Sequence, residues 1–127
     1  MQGRLLYMET ISKINLFEDI PAVLPDEWSQ TLFRGAQVKI ERIVSKGHRS
    51  PPGFWYDQNW DEWVVLLKGG AGLCFEHDPV ERVLAPGDAV LIPAGVRHRV
   101  SWTDNQEESV WLAVHMTAAA VVRDTTS

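Results

Sequence analysis

The feature that most constrains this chain is punctuation. From Gln37 onward, short apolar or alternating runs recur at intervals of roughly ten residues, each closed by glycine or proline. Val38-Lys39-Ile40-Glu41 alternates apolar and polar, and Ile43-Val44 extends the run with β-branched residues. Trp63–Leu67 is apolar throughout and stops at Gly69-Gly70, which predicts a strand buried on both faces. Ala71, Leu73 and Phe75 alternate with Gly72, Cys74 and Glu76, and His77-Asp78-Pro79 predicts a turn. Ala85-Pro86-Gly87-Asp88 has the Pro-Gly pair of a type II turn. Ala89–Ile92 is stopped by Pro93-Ala94-Gly95. His98, Val100 and Trp102 are expected on one strand face, with Arg97, Arg99 and Ser101 on the other. Val110–Met116 closes the series, with Trp111, Ala113 and His115 sharing a face. Short strands with regular turns make the class all-β, a barrel or sandwich of antiparallel sheets.

The flanks read differently. Met1–Tyr7 is an irregular leader, Pro21 and Pro25 discourage a long helix, and Asp26-Glu27-Trp28 is expected to open a single helical turn. The organisation is therefore 1–36 as leader and edge-strand region, 37–116 as barrel, and 117–127 as a frayed tail.

Composition narrows the function classes. A chain of 127 residues suits one domain, and 12 Lys+Arg against 17 Asp+Glu give a net charge of −5, unsuited to a dedicated nucleic-acid binder. No apolar run approaches the roughly 20 residues of a membrane-spanning helix, and Met1–Met8 lacks the apolar core of a secretory signal. Cys74 is alone, so no internal disulfide forms, and an inert thiol in a strand is the expectation. A cytoplasmic domain with a small-molecule ligand, no nucleic acid and no membrane follows as the expectation. No nucleophile elbow or phosphate loop is present.

Two segments carry the chemistry. Gly87 to His98 reads Gly-x5-Pro-x-Gly-x2-His, and Glu62 is followed by Gly69. At these positions, and over roughly Val38 to Met116, the chain resembles the cupin superfamily, whose two motifs end in these patterns. The resemblance implies a double-stranded β-helix (jelly-roll-like) barrel of two antiparallel sheets, and a homodimer through the N-terminal strands. Cupins that keep both histidines of the first motif usually hold a divalent metal on three His and one Glu, and many are dioxygenases, decarboxylases or isomerases. Here those two positions are Tyr56 and Gln58, and the Asn that ends the second motif is Trp102. Residue by residue, the resemblance leaves Gln58, Glu62 and His98 as metal ligands, with Tyr56 a poor fourth, for zinc, iron, nickel or manganese. One imidazole, one carboxylate and one amide oxygen make a harder, weaker site than three imidazoles.

The residues themselves admit other readings. An inward imidazole at position 98 requires a metal, a carboxylate or a ligand as partner. His48, in the loop before the first motif, and His115 are further candidates for the ligand set; the alternatives are a solvated loop side chain and an imidazole packed near Trp111. Phe54, Trp55, Tyr56, Trp60 and Trp63 crowd one stretch, and with Trp102 they either plug a small barrel or line a pocket. Arg42, Lys46, His48 and Arg49 form a basic group that meets an anionic substrate or simply a solvated edge. The leading function is a divalent-metal site acting on or binding a small organic acid or sugar derivative. The alternative is a metal-free cavity that binds a small ligand as sensor or carrier.

Overall fold

The computed structural model describes residues 11–117, which contain eight strands and no helix. They are β1 (Trp28–Arg34), β2 (Val38–Ser45), β3 (Asp61–Lys68), β4 (Ala71–Phe75), β5 (Asp78–Leu84), β6 (Ala89–Ile92), β7 (His98–Thr103) and β8 (Ser109–Met116). Two antiparallel sheets result, one ordered β1-β2-β8-β3-β6 and one ordered β5-β4-β7. The inward side chains of both sheets meet in one core of Val64, Leu66, Ala71, Leu73, Leu84, Ile92, Trp111 and Ala113. This is the all-β, two-sheet architecture that the strand punctuation predicts. Among these residues no helix is long and apolar enough to cross a membrane.

The turns follow their chemistry. Asp88 N–H donates to Ala85 O at 2.9 Å, and Gly87 sits at φ +96°, the left-handed value that a type II turn demands of its third residue. Gly69 sits at φ +87° between β3 and β4, and a side chain there would also meet backbone: an added Cβ lies 2.6 Å from Ser109 Cα and 2.7 Å from Glu108 O.

Four local expectations need correction. Asp26-Glu27-Trp28 opens no helical turn; it leads directly into β1, whose ladder with β2 offers the backbone more partners than one isolated turn. The turn after β4 is Glu76-His77, and Asp78 and Pro79 already belong to β5, a sheet-edge strand where proline is tolerated. Trp63–Leu67 is fully buried on one face only: Val64 and Leu66 are inward, whereas Trp63 is 38% exposed beside Leu91. Arg42 is no part of a basic surface group. It is buried, donating through Nη1 to the carbonyls of Asn15, Leu16 and Glu18 and through Nη2 to Gln30, with its guanidinium over the Trp28 ring. One guanidinium thus fastens the segment before β1 to the outer face of the large sheet. The expected leader Met1–Tyr7 and the tail beyond Thr117 lie outside the described residues.

Gly69 and Gly87 differ in one respect, because an added Cβ at Gly87 meets nothing within 4 Å. Gly87→Ala is expected to cost about 1 kcal/mol of backbone strain, and Gly69→Ala at least about 2 kcal/mol because collision is added to strain. Urea denaturation of the two variants checks the order.

Candidate functional site

The site starts from a turn. Asp61, at the head of β3, is 1% exposed, and its Oδ1 accepts the Ala94 N–H at 2.7 Å across the β6–β7 turn. Gly95 N–H in the same turn donates to the Gln58 carbonyl at 2.7 Å. Tyr56 and His98 exchange two backbone bonds, of 2.7 and 3.1 Å. These links register the segment 56–62 against the start of β7 and bring Tyr56, Gln58, Glu62 and His98 to one cavity of about 200 Å³.

His98 is buried, and its Nδ1 lies 3.0 Å from the carbonyl oxygen of Val96. A carbonyl only accepts, so Nδ1 carries the hydrogen and the Nε2 of that tautomer presents a lone pair. Nε2 stands 4.0 Å from Glu62 Oε1. That separation exceeds a hydrogen bond and leaves room for a bridging atom. Tyr56 stacks on the imidazole, with centroids 5.5 Å apart and planes at 27°, and Phe75 approaches it at 6.2 Å. The Tyr56 phenol is pushed above its ordinary pKa, first by burial and then by Glu27 and Glu62, so it stays protonated and is a poor metal ligand. Gln58 Oε1 is buried without a hydrogen-bond partner.

His115 also reaches the cavity, in a different role. Its Nδ1 accepts the Trp60 indole N–H at 2.9 Å, and its Nε2 lies 2.7 Å from Glu41 Oε1. An indole N–H only donates and a carboxylate only accepts, which fixes the hydrogen on Nε2. Both nitrogens are occupied, so His115 has no lone pair for a metal in this arrangement; it holds Glu41 in place, aided by Lys39 at 3.5 Å. Of the reading that His115 packs as a hydrogen-bonded imidazole, this is the concrete form.

Paired residues share a sheet face, so the ladder lays the large sheet's concave side out in rows. Lys39, His115, Glu62 and Ile92 form one; Glu41, Ala113, Val64 and Val90 the next; Ile43, Trp111 and Leu66 the third. Glu41 and Glu27 are cavity residues that sequence reasoning missed. The alternation of β2 was a usable signal for Glu41, since it puts Glu41 on the same face as Ile43. Glu27 precedes β1 and carried none. Burial, followed by the charges of Glu41 and Glu62, raises the Glu27 pKa against the opposing Ser45 hydrogen bond and His48.

Three expected pocket residues stand elsewhere. Trp63 projects from the outer face of β3. Trp102 is turned outward because β7 carries one extra residue: Leu73 pairs with Val100 but Gly72 with Trp102, so Ser101 is the bulge. The Trp102 indole lies over Gly72 and donates to Glu81 at 3.3 Å. His48 accepts the Lys46 N–H on Nδ1 and meets Leu24 O through Nε2 at 3.0 Å, which binds it to its loop.

The motif geometry and the comparisons agree. A family model described as a cupin domain matches residues 41–115, more than half of the chain. The chain belongs to the cupin family. A Ralstonia eutropha JMP134 protein described as a "putative mannose-6-phosphate isomerase" is 52% identical, covering 85% of this chain and 100% of its own, with a TM-score of 0.82. A cupin superfamily protein of Desulfitobacterium hafniense DCB-2 is similar at 20% identity, over 77% of this chain and 84% of its own, with a TM-score of 0.64. An RmlC-like cupin of Shewanella frigidimarina NCIMB 400 matches at 19% identity, 71% and 75% coverage and a TM-score of 0.58. The last two share the fold. No curated protein matches this chain.

Two outcomes follow for this cupin. Asp61→Ala strips the buried Ala94 N–H of its acceptor and is expected to cost about 1–3 kcal/mol, with much of it restored in Asp61→Asn, by thermal unfolding. A raised Glu27 pKa means the folded chain holds a proton that the unfolded chain has released. Glu27 therefore subtracts from stability above its folded pKa, and the penalty fades as pH falls toward the ordinary 4.5. Glu27→Gln is expected to raise the unfolding temperature at pH 7 and to lose that advantage near pH 4.5, by melting curves across pH.

Proposed function

We propose that this cupin holds one divalent metal ion on Glu62, His98 and Gln58 and uses it to bind and transform a small sugar derivative or organic acid. One observation supports the reading above the rest: the cavity holds acceptors that are not hydrogen-bonded to one another. The Nε2 lone pair of His98 faces the Glu62 carboxylate across 4.0 Å, and the Gln58 amide oxygen is buried without a partner. Acceptors arranged in this way repel one another until a cation lies between them, so the donor set fits a hard or borderline ion such as manganese, iron, nickel or zinc. Val96 O orients the imidazole as outer partners of metal-bound histidines commonly do.

When bound, such an ion supplies Lewis-acid polarisation of a substrate oxygen. The protein's own residues do the rest. Tyr56 covers one face of the His98 ring, and Val64, Leu73 and Ile92 keep that side of the cavity apolar. Glu41, fixed by His115 and Lys39, presents a positioned carboxylate to the cavity. The relative described as a "putative mannose-6-phosphate isomerase" supports isomerase-type chemistry over the dioxygenase and decarboxylase options. The same reading takes the protein as a cytoplasmic homodimer, in keeping with a lone Cys74 and with β1 lying at the edge of its sheet.

A metal-free cavity for a small ligand is the second reading. It is favoured by the absence, among the described residues, of three His, Cys, Asp or Glu side chains grouped to hold a metal. Tyr56 and a single tryptophan, Trp111, would then serve as the aromatic lining. Elemental analysis of protein purified without an affinity tag separates the two. The metal reading expects a near-stoichiometric transition metal, reduced at least roughly tenfold in Glu62→Gln and His98→Ala. A wild type that stays empty after soaking with iron, nickel, zinc and manganese overturns it.

A further inference from the structure

Arg34, the last residue of β1, pairs directly with Lys39 of β2. It extends the row of Lys39, His115, Glu62 and Ile92, so both cations stand on the concave face in line with a proposed metal ligand. Like charges directly opposite on a strand pair repel one another. Arg34 is exposed, and among the described residues no carboxylate pairs with it. Lys39 has only Glu41, at 3.5 Å, long beside the roughly 2.7–2.9 Å of a charge-assisted bond. One carboxylate thus faces two cations.

The two side chains line a groove of about 300 Å³ with Gln37 and Trp60. His115 lines both this groove and the cavity, so one imidazole forms a wall of each. The two spaces divide the charges between them. Glu27, Glu41 and Glu62 line the cavity, whereas the groove has Arg34 and Lys39 and no carboxylate. In a chain of net charge −5, a groove lined by cations alone is suited to an anion.

The donors narrow its class. A guanidinium offers two parallel N–H groups to two oxygens, and an ammonium adds a point donor for a third. A carboxylate has two oxygens and a single charge, which the Arg34 fork alone takes up. A phosphate monoester has three terminal oxygens and close to two charges, so both cations can share it. A metal on Glu62 would also draw anions, but on the cavity side of His115. Lys39 and Glu62 lie on strands separated by β8, about 10 Å apart at the backbone, a gap that one small molecule can bridge.

We infer that the groove binds a phosphate group, with the Arg34 fork on two of its oxygens and Lys39 on the third, and that this phosphate is the far end of the ligand whose other end lies at the proposed metal. The link to the metal rests on the function proposed above; the phosphate site itself does not. The Ralstonia relative described as a "putative mannose-6-phosphate isomerase" makes mannose 6-phosphate the natural probe.

Binding of D-mannose 6-phosphate, D-mannose and inorganic phosphate to the full chain is measured by isothermal titration calorimetry, before and after metal is removed with a chelator. Both phosphate probes are expected to bind, mannose 6-phosphate at least tenfold more tightly than mannose or inorganic phosphate. Arg34→Gln is expected to weaken both phosphate probes roughly tenfold, and Lys39→Gln about threefold because Glu41 already shares that ammonium. Arg34→Gln relieves the repulsion with Lys39, so its melting temperature is expected to match or exceed that of the wild type, which separates lost binding from lost folding. Phosphate probes that fail to bind, or that bind folded Arg34→Gln as tightly as wild type, overturn the site. Inorganic phosphate that matches mannose 6-phosphate, with the same dependence on Arg34, upholds a site for the free ion and overturns its link to the metal. Metal content is scored in the same samples. Arg34-dependent binding in protein that takes up no metal sinks the metal reading alone. Phosphate binding that is abolished by chelation and by Glu62→Gln, yet indifferent to Arg34→Gln, sinks this inference alone.

Discussion

Everything at the candidate site hangs on the buried bond between the Asp61 carboxylate and the Ala94 N–H. Asp61 and Glu62 are neighbours in β3, so their side chains leave opposite faces of the strand. The first clamps the turn, and the second enters the cavity that the turn helps to enclose. His98 begins four residues after Ala94, too few to wander, and its backbone is closed off by Tyr56 on one side and Phe75 on the other. Together with the Gly95–Gln58 and Tyr56–His98 backbone bonds, this carboxylate holds in register two side chains that lie 36 residues apart in sequence, Glu62 and His98. A buried hydrogen bond from a backbone amide to a charged acceptor is short and directional, which suits it to hold register.

The polar groups of the cavity divide by what they lack. Glu41 and His115 are saturated by each other, by Trp60 and by Lys39, and behave as framework. His98 Nε2, Gln58 Oε1 and Trp111 Nε1 leave capacity unspent. Native proteins rarely tolerate several such groups in one place unless something else satisfies them. The saturated set gives the cavity its shape, and His98 Nε2 and Gln58 Oε1 are the groups on which the proposed metal site rests.

Much of the fold was legible in the sequence because strand alternation and Gly/Pro turns are local signals. Gly87, Pro93 and Gly95 mark turns wherever they occur in such a pattern, and β2, β4, β6 and β7 follow from residue order alone. The convergence of Glu62 with His98 was legible through motif spacing. What escaped was non-local. An edge strand was expected somewhere in 1–36, but Trp28–Arg34 has no strong strand pattern to locate it, and β2's ladder does. Arg42 looks like surface charge until the carbonyls of residues 15, 16 and 18 arrive around it. Glu27 reaches the cavity only because β1 lies along that rim. For His115, only the Trp60 and Glu41 contacts reveal the tautomer.

The extra residue in β7 acts as a phase boundary. Up to Val100 the strand keeps step with the cavity; beyond it, the beat is inverted, and Ser101 and Trp102 both reach Glu81 on the outside of the small sheet. The position where the family's second motif has asparagine is thereby insulated from the interior. A substitution at that position meets Gly72 and Glu81 and no residue that lines the cavity.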